Sequence, residues 1–161
     1  MEQVYDSTQD TKDHKNLVER YLKFLAGHLL YRGSIHDNSK LVPPEKEAFD
    51  IHTPALNKLT YGSEEYNKSL EELQVALSHH YSVNKHHPEY HSKGILGMNL
   101  IDINEMFADW CAATTRHADG DIFKSIDINA ERFGFGEVLV AILKNTARDF
   151  NMGKGVDEKG E

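Results

Sequence analysis

Apolar residues recur every three to four positions through most of this chain, and alternating β-branched runs are scarce. That spacing commits the chain to helices, because residues three and four apart share a helical face whereas a half-buried strand needs a period of two. The first stripe, Val18, Tyr21, Leu22, Leu25 and Leu29, predicts a helix from about Thr11 with His14 on the same stripe. Gly33 and Ser34 read as its stop and a new start. Pro43 and Pro44 open a short helix over EKEAFD, and 52–62, punctuated by Pro54 and Gly62, reads as irregular. Tyr66, Leu70, Leu73, Leu77 and Tyr81 predict a helix over 63–81, followed by a polar loop over 82–97. Asn99 is placed to cap a helix reaching about His117, with Ile103, Met106, Trp110 and Ala113 as its stripe. Two further helices are expected over 122–133 and 137–150, separated by Gly134-Phe135-Gly136, and 151–161 reads as a flexible tail. Without an internal repeat, linker or low-complexity tract, the expectation is one all-α domain spanning 1–161, a compact helical bundle with its core at about 11–150.

Composition narrows the function. At 161 residues the chain has the length of one domain. Its 26 acidic residues against 18 basic ones leave a formal net charge of −8, which argues against a general nucleic-acid binder, since that needs a basic face to displace counterions. A nucleotide remains possible, since a local cation or a metal can hold one. The longest purely apolar run, 138–143, is too short to cross a bilayer, and the N-terminus lacks the basic-then-apolar order of a secretory signal. Cys111 is the only cysteine, so no internal disulfide forms and a reducing, cytoplasmic location is expected. The anomalous number is ten histidines, five of them between His79 and His91.

His36-Asp37 is the centre of the chemical reading. Adjacent histidine and aspartate at a helix end can give a nitrogen and an oxygen to one divalent cation, and Lys40, three residues on, can complement a phosphate beside it. By itself the dipeptide is as consistent with a solvated turn. His79-His80 and the following Asn84, His86, His87 and His91 form a dense polar cluster suited to metals or anionic substrates. Asp109, flanked by Trp110 and Cys111 near an apolar face, must be paired or metal-bound to be buried, and an ion pair with Arg116 is the structural alternative.

His36-Asp37-x-x-Lys40, an upstream His14, the His79-His80 pair and a late Asp109 resemble the HD-domain metal-dependent phosphohydrolases, most closely those with two metals. The closer resemblance, carried by HDNSKL, HHYSVNKHHPEYH and MNLIDINEMFADWCAATTRH and covering about 11–146, is to an uncharacterised family of small bacterial and phage proteins. The HD resemblance implies that His14, His36, Asp37 and Asp109 hold a first ion, with Asp37 bridging to a second on His79 and His80. Lys40 would face the phosphate, and a metal-activated water would be the nucleophile. Asn84, His86, His87, His91 and Arg116 are the candidate substrate contacts. The implied cofactor is one or two divalent ions, with manganese, iron, cobalt, nickel, zinc and magnesium all open. The implied partner is a small phosphorylated substrate such as a nucleotide.

Competing readings are an HD-like di-iron oxygenase and a non-catalytic, metal-stabilised module binding a nucleotide or a protein. Neither a membrane nor a long nucleic acid is expected as a partner. Self-association stays open, since the face carrying Phe133, Phe135, Val138 and Leu139 can be core or interface. Two geometric conditions attach to the ligand set. A straight first helix separates His14 from His36, and a kink near Gly27 would bring them together. A regular helix also points His79 and His80 about 100° apart, so both can be ligands only if the helix ends or distorts there, or if the ions sit on either side of it.

Overall fold

The computed structural model describes residues 5–56, 59, 63–116 and 118–155. It is all-α, with no strand among the described residues. The chain divides into two units, 1–36 and 37–161. The first unit contains one unbroken helix, α1 (Thr8–Ile35), ending at His36 in extended backbone (φ −51°, ψ 130°). It starts three residues before the expected Thr11 and runs through Gly33 and Ser34. Gly27 does not kink it, because a lone glycine inside a helix only weakens it.

The second unit begins with Asp37, which adopts left-handed backbone (φ 57°). Aspartate tolerates this region better than most residues because its short side chain hydrogen-bonds locally. A 3-10 turn (Asn38–Leu41) follows, then α2 (Glu45–Leu56), which starts directly after the two prolines and continues through Pro54. The helix expected over 45–50 is thus twice as long, and most of the stretch expected to be irregular lies outside the described residues or within α2. The helix expected over 63–81 is two, α3 (Glu64–Glu72) and α4 (Gln74–Val83), hinged at the buried Leu73. Two 3-10 turns (Pro88–Tyr90 and Gly94–Gly97) organise the expected polar loop.

The second half of this unit is α5 (Leu100–Thr114), α6 (Ile122–Phe133) and α7 (Glu137–Asp149). Asn99 caps α5 as its position implied. Its side chain accepts from the Ile101 and Asp102 amides at 2.8 and 3.1 Å, and Asp102 Oδ2 accepts from the Asn99 amide at 3.1 Å. This reciprocal arrangement satisfies amides that a helix start otherwise leaves without acceptors. Gly134 ends α6 in left-handed backbone (φ 67°), a conformation that favours glycine. Phe107, Cys111, Ile122, Phe123, Ile126, Leu143 and Ala147 form the apolar core of α5–α7.

The face that could be core or interface is divided. Phe135 and Leu139 pack against the core, whereas Val138 is 77% exposed and, with Leu96, lines an open groove of about 610 Å³. Residues 151–155, expected as part of a flexible tail, are tied down. The Met152 amide donates to the Ala147 carbonyl, the Lys154 carbonyl accepts from the Ile122 amide, and the Lys154 amide donates to Thr114 Oγ1. The rest of that tail, 156–161, lies outside the described residues. No described helix is long and apolar enough to cross a membrane.

Candidate metal centre

The centre is assembled by four short pieces of the second unit. The turn at 37–41 supplies Asp37, Ser39 and Lys40; α2 supplies Glu45; the end of α4 supplies His79 and His80; and the segment after α4 supplies His86 and His87. Packing of α2 against α4 and against the 38–41 turn brings the first three together. The turn after α4 brings the fourth. There the His87 amide donates to the Asn84 carbonyl at 3.1 Å, and the Tyr90 amide donates to the His87 carbonyl, reversing the chain over α4. His87 is seven residues from His80, yet their Nε2 atoms stand 2.9 Å apart.

Asp37, His80, His86 and His87 each present one possible ligand atom, all within 4.8 Å of one another. Asp37 Oδ1 is 3.3 Å from His80 Nε2 and 3.5 Å from His86 Nε2. Two nitrogens bound at about 2.1 Å and at right angles to a common ion stand about 3.0 Å apart, so the spacing suits coordination. His80 and His86 are buried. Each turns its other ring nitrogen to a carboxylate, with His80 Nδ1 2.9 Å from Glu45 Oε2 and His86 Nδ1 3.2 Å from Glu105 Oε1. A carboxylate behind an imidazole is the usual companion of a metal-ligating histidine, because it sets ring orientation and tautomer.

Protonation agrees with this geometry. Burial, aided by the Lys40 charge, pushes the His80 imidazole below its ordinary value against the opposing pull of Asp37 and Glu45. Burial, with His86 and His80 beside it, pushes His87 down to about 3, against Asp109 and Asp37. Both rings are therefore neutral near pH 7 and can offer a lone pair, which is the form a metal requires. Lys40 Nζ lies 2.6 Å from Asp37 Oδ2 and 5.1 Å from the centre of the Phe49 ring, which sets a positive charge at the edge of the cluster.

The sequence-derived site is rearranged in several places. Asp37 and His80 fall in the cluster, and Lys40 beside it. His86 and His87, read as substrate contacts, stand among the potential ligand atoms instead. His79, read as a ligand, turns Nδ1 to Glu45 Oε1 at 2.8 Å and is half-exposed. Glu45 is thus what spans the 100° between the two adjacent histidines, one oxygen to each. Asn84 acts as a clasp: its amide donates to Ser39 Oγ and to the His80 carbonyl, both at 2.8 Å.

His91 is held against the Lys85 carbonyl at 2.9 Å. Asp109 is half-buried and close enough to His87 to favour its charged form. Arg116 is exposed, seven residues and about 10 Å along the chain from Asp109. His14 and His36 belong to the first unit. With α1 unbroken, their 22-residue separation spans about 33 Å, so the His14 and His36 of one chain do not share an ion. Glu45 went unread as a site residue. The only sequence signal for Glu45 was its place directly after two prolines at a helix start.

A helical unit with a buried cluster of histidines and carboxylates defines a protein with a potential metal centre. A family model described as a family of unknown function, DUF5662, matches residues 3–149, and the chain belongs to that family. Neither a curated protein nor a solved structure matches it. The likeness to HD-domain phosphohydrolases rests on the short motifs alone.

Proposed function

We propose that this protein is a metal-dependent phosphohydrolase acting on a nucleotide or another small phosphate ester. The observation that carries the reading is the convergence of three histidine ring nitrogens and one Asp37 oxygen within 4.8 Å, beside the Lys40 ammonium. Asp37, His80, His86 and His87 would hold the ion. A nitrogen-rich set with one carboxylate favours manganese, iron, cobalt, nickel or zinc over magnesium. Such an ion supplies charge stabilisation at a phosphoryl oxygen and lowers the pKa of a bound water. Lys40 contributes a fixed positive charge where phosphate oxygens gain negative charge, and its hydrogen bond to Asp37 holds it in place beforehand. Asp109 offsets positive charge near His87, while His91 and Arg116 are candidates for contacts to the rest of the substrate.

The test begins with metal per chain, measured by elemental mass spectrometry on protein purified without chelator, with Asp37→Ala alongside. One or two equivalents in the wild type, lost in the variant, are expected. The metal-loaded protein should then release phosphate from a panel of nucleotides and simple phosphate esters. Lys40→Ala should retain the metal and lose phosphate release. Failure of the wild type to take up manganese, iron or zinc would end the metal reading. A loaded protein that hydrolyses nothing in the panel would end the hydrolase reading.

A further inference from the structure

Glu45 opens α2 and is fully buried, at 0% exposure. Three groups converge on its carboxylate. His79 Nδ1 lies 2.8 Å from Oε1, His80 Nδ1 lies 2.9 Å from Oε2, and the Ser39 hydroxyl donates to Oε2 at 2.9 Å. A carboxylate only accepts, so each imidazole nitrogen facing it must carry the proton. Asn84 Nδ2 is also 3.0 Å from His80 Nδ1, but its two hydrogens are directed to Ser39 Oγ and the His80 carbonyl. Ser39 Oγ is 3.2 Å away, but its hydrogen goes to Glu45 Oε2, so there it can only accept, and Glu45 at 2.9 Å is the nearer acceptor. Glu45 is therefore the acceptor for His80 Nδ1–H.

From this geometry we infer that Glu45 is a positioning residue: it holds His80 in the Nδ1–H tautomer, leaving Nε2 bare toward Asp37 and His87. The purpose of that arrangement rests on the proposed metal centre, because a ligating histidine needs a bare nitrogen aimed at the ion. The arrangement itself does not require an ion. The other tautomer has acceptors of its own in the same cluster, since His80 Nε2–H could donate to His87 Nε2, 2.9 Å away, or face Asp37 Oδ1 at 3.3 Å; without Glu45 nothing would hold the ring against it. Glu45 thus decides between two states of one ring. A carboxylate that merely anchored α2 to α4 would leave that choice open.

The decisive measurement is the imidazole tautomer, read by long-range proton–nitrogen correlation NMR on metal-free, 15N-labelled protein near pH 7. In the wild type His80 should show a protonated Nδ1 and a bare Nε2. In Glu45→Gln it should move toward the Nε2–H form, while His86, whose Nδ1 faces Glu105, keeps its tautomer. Cobalt titration, followed by absorbance, should show affinity falling about 10- to 100-fold in the same variant. A wild-type His80 in the Nε2–H form would overturn the inference. So would a folded Glu45→Gln with an unchanged tautomer and cobalt affinity within about twofold of wild type. If Glu45→Gln does not fold, the wild-type tautomer decides alone. A wild type that shows the expected tautomer and its loss in the variant, yet binds no cobalt, would sink the metal reading and leave the positioning role standing.

Discussion

Acidifying the metal-free protein should destabilise it well before ordinary acid denaturation, and His87 should supply a definable share. Its imidazole sits at about 3 in the folded protein against 6.5 when exposed. The sign follows from linkage. Between those values the unfolded chain binds a proton that the folded chain refuses, so the stability present above about pH 6.5 drains away as the pH falls. At pH 4.5 this one group costs about 2.7 kcal/mol, and at pH 7 about 0.2, a difference of about 2.5 kcal/mol. With a urea slope of about 2 kcal/mol per molar, the unfolding midpoint should drop by about 1.2 M between the two pH values from His87 alone. His80 is shifted the same way and adds to the wild-type drop.

The assay is urea unfolding followed by circular dichroism, with chelator present, at pH 7 and 4.5, for wild type and His87→Asn. Subtracting the two drops cancels every group except His87 and those coupled to it, chiefly His86, His80, Asp109 and Asp37. The wild-type drop should exceed the variant's by about 1 M. Equal drops would refute the claim that burial holds this ring neutral, and with it the argument that His87 offers a lone pair at neutral pH.

The remaining expectations test the framework around the site. Ile126→Ala removes a fully buried side chain from the α5–α7 core and should cost about 2–5 kcal/mol in urea unfolding. Gly120→Ala would put a methyl 1.9 Å from the Thr114 carbonyl oxygen, so the link from α5 to α6 must shift, and a loss of about 1–3 kcal/mol should appear as a lower Tm. Asn99→Ala removes the α5 cap and should cost about 1 kcal/mol, with its largest effect on hydrogen exchange in the first turn of α5. Burial pushes the Cys111 thiol up to about 11, so native protein at pH 8 should react far more slowly with a thiol reagent than unfolded protein does; equal rates would contradict its burial.

The all-α fold was legible because helix formation leaves a local trace. The stripe Ile103, Met106, Trp110 and Ala113, with Asn99 in front, located α5 and its cap, and Gly134 located the end of α6. Boundaries were less legible where neighbours overrule propensity. Leu73 fits the stripe that predicted one helix over 63–81, yet it is buried at a hinge between two. The chain after α7 looked loose, yet the Thr114 hydroxyl and the Ile122 amide hold it through hydrogen bonds to the Lys154 backbone that no local pattern announces.

The same division runs through the candidate site. The sequence by itself determined that the chain is helical, singled out Asp37 and the histidines near 80 as candidates, and put Lys40 beside Asp37, since residues three apart in one turn must be neighbours. Tertiary structure alone decided which atoms meet. It drew His86 and His87 in among the potential ligand atoms and turned His79 onto Glu45. It also made an ordinary-looking glutamate in EKEAFD the buried acceptor for two rings. The physical reason is one of range: helical periodicity is set by neighbours within a turn, whereas the ring nitrogens and carboxylates of the cluster come from segments as far apart as Asp37 and Glu105, and only the packing of helices against one another fixes the distances among them.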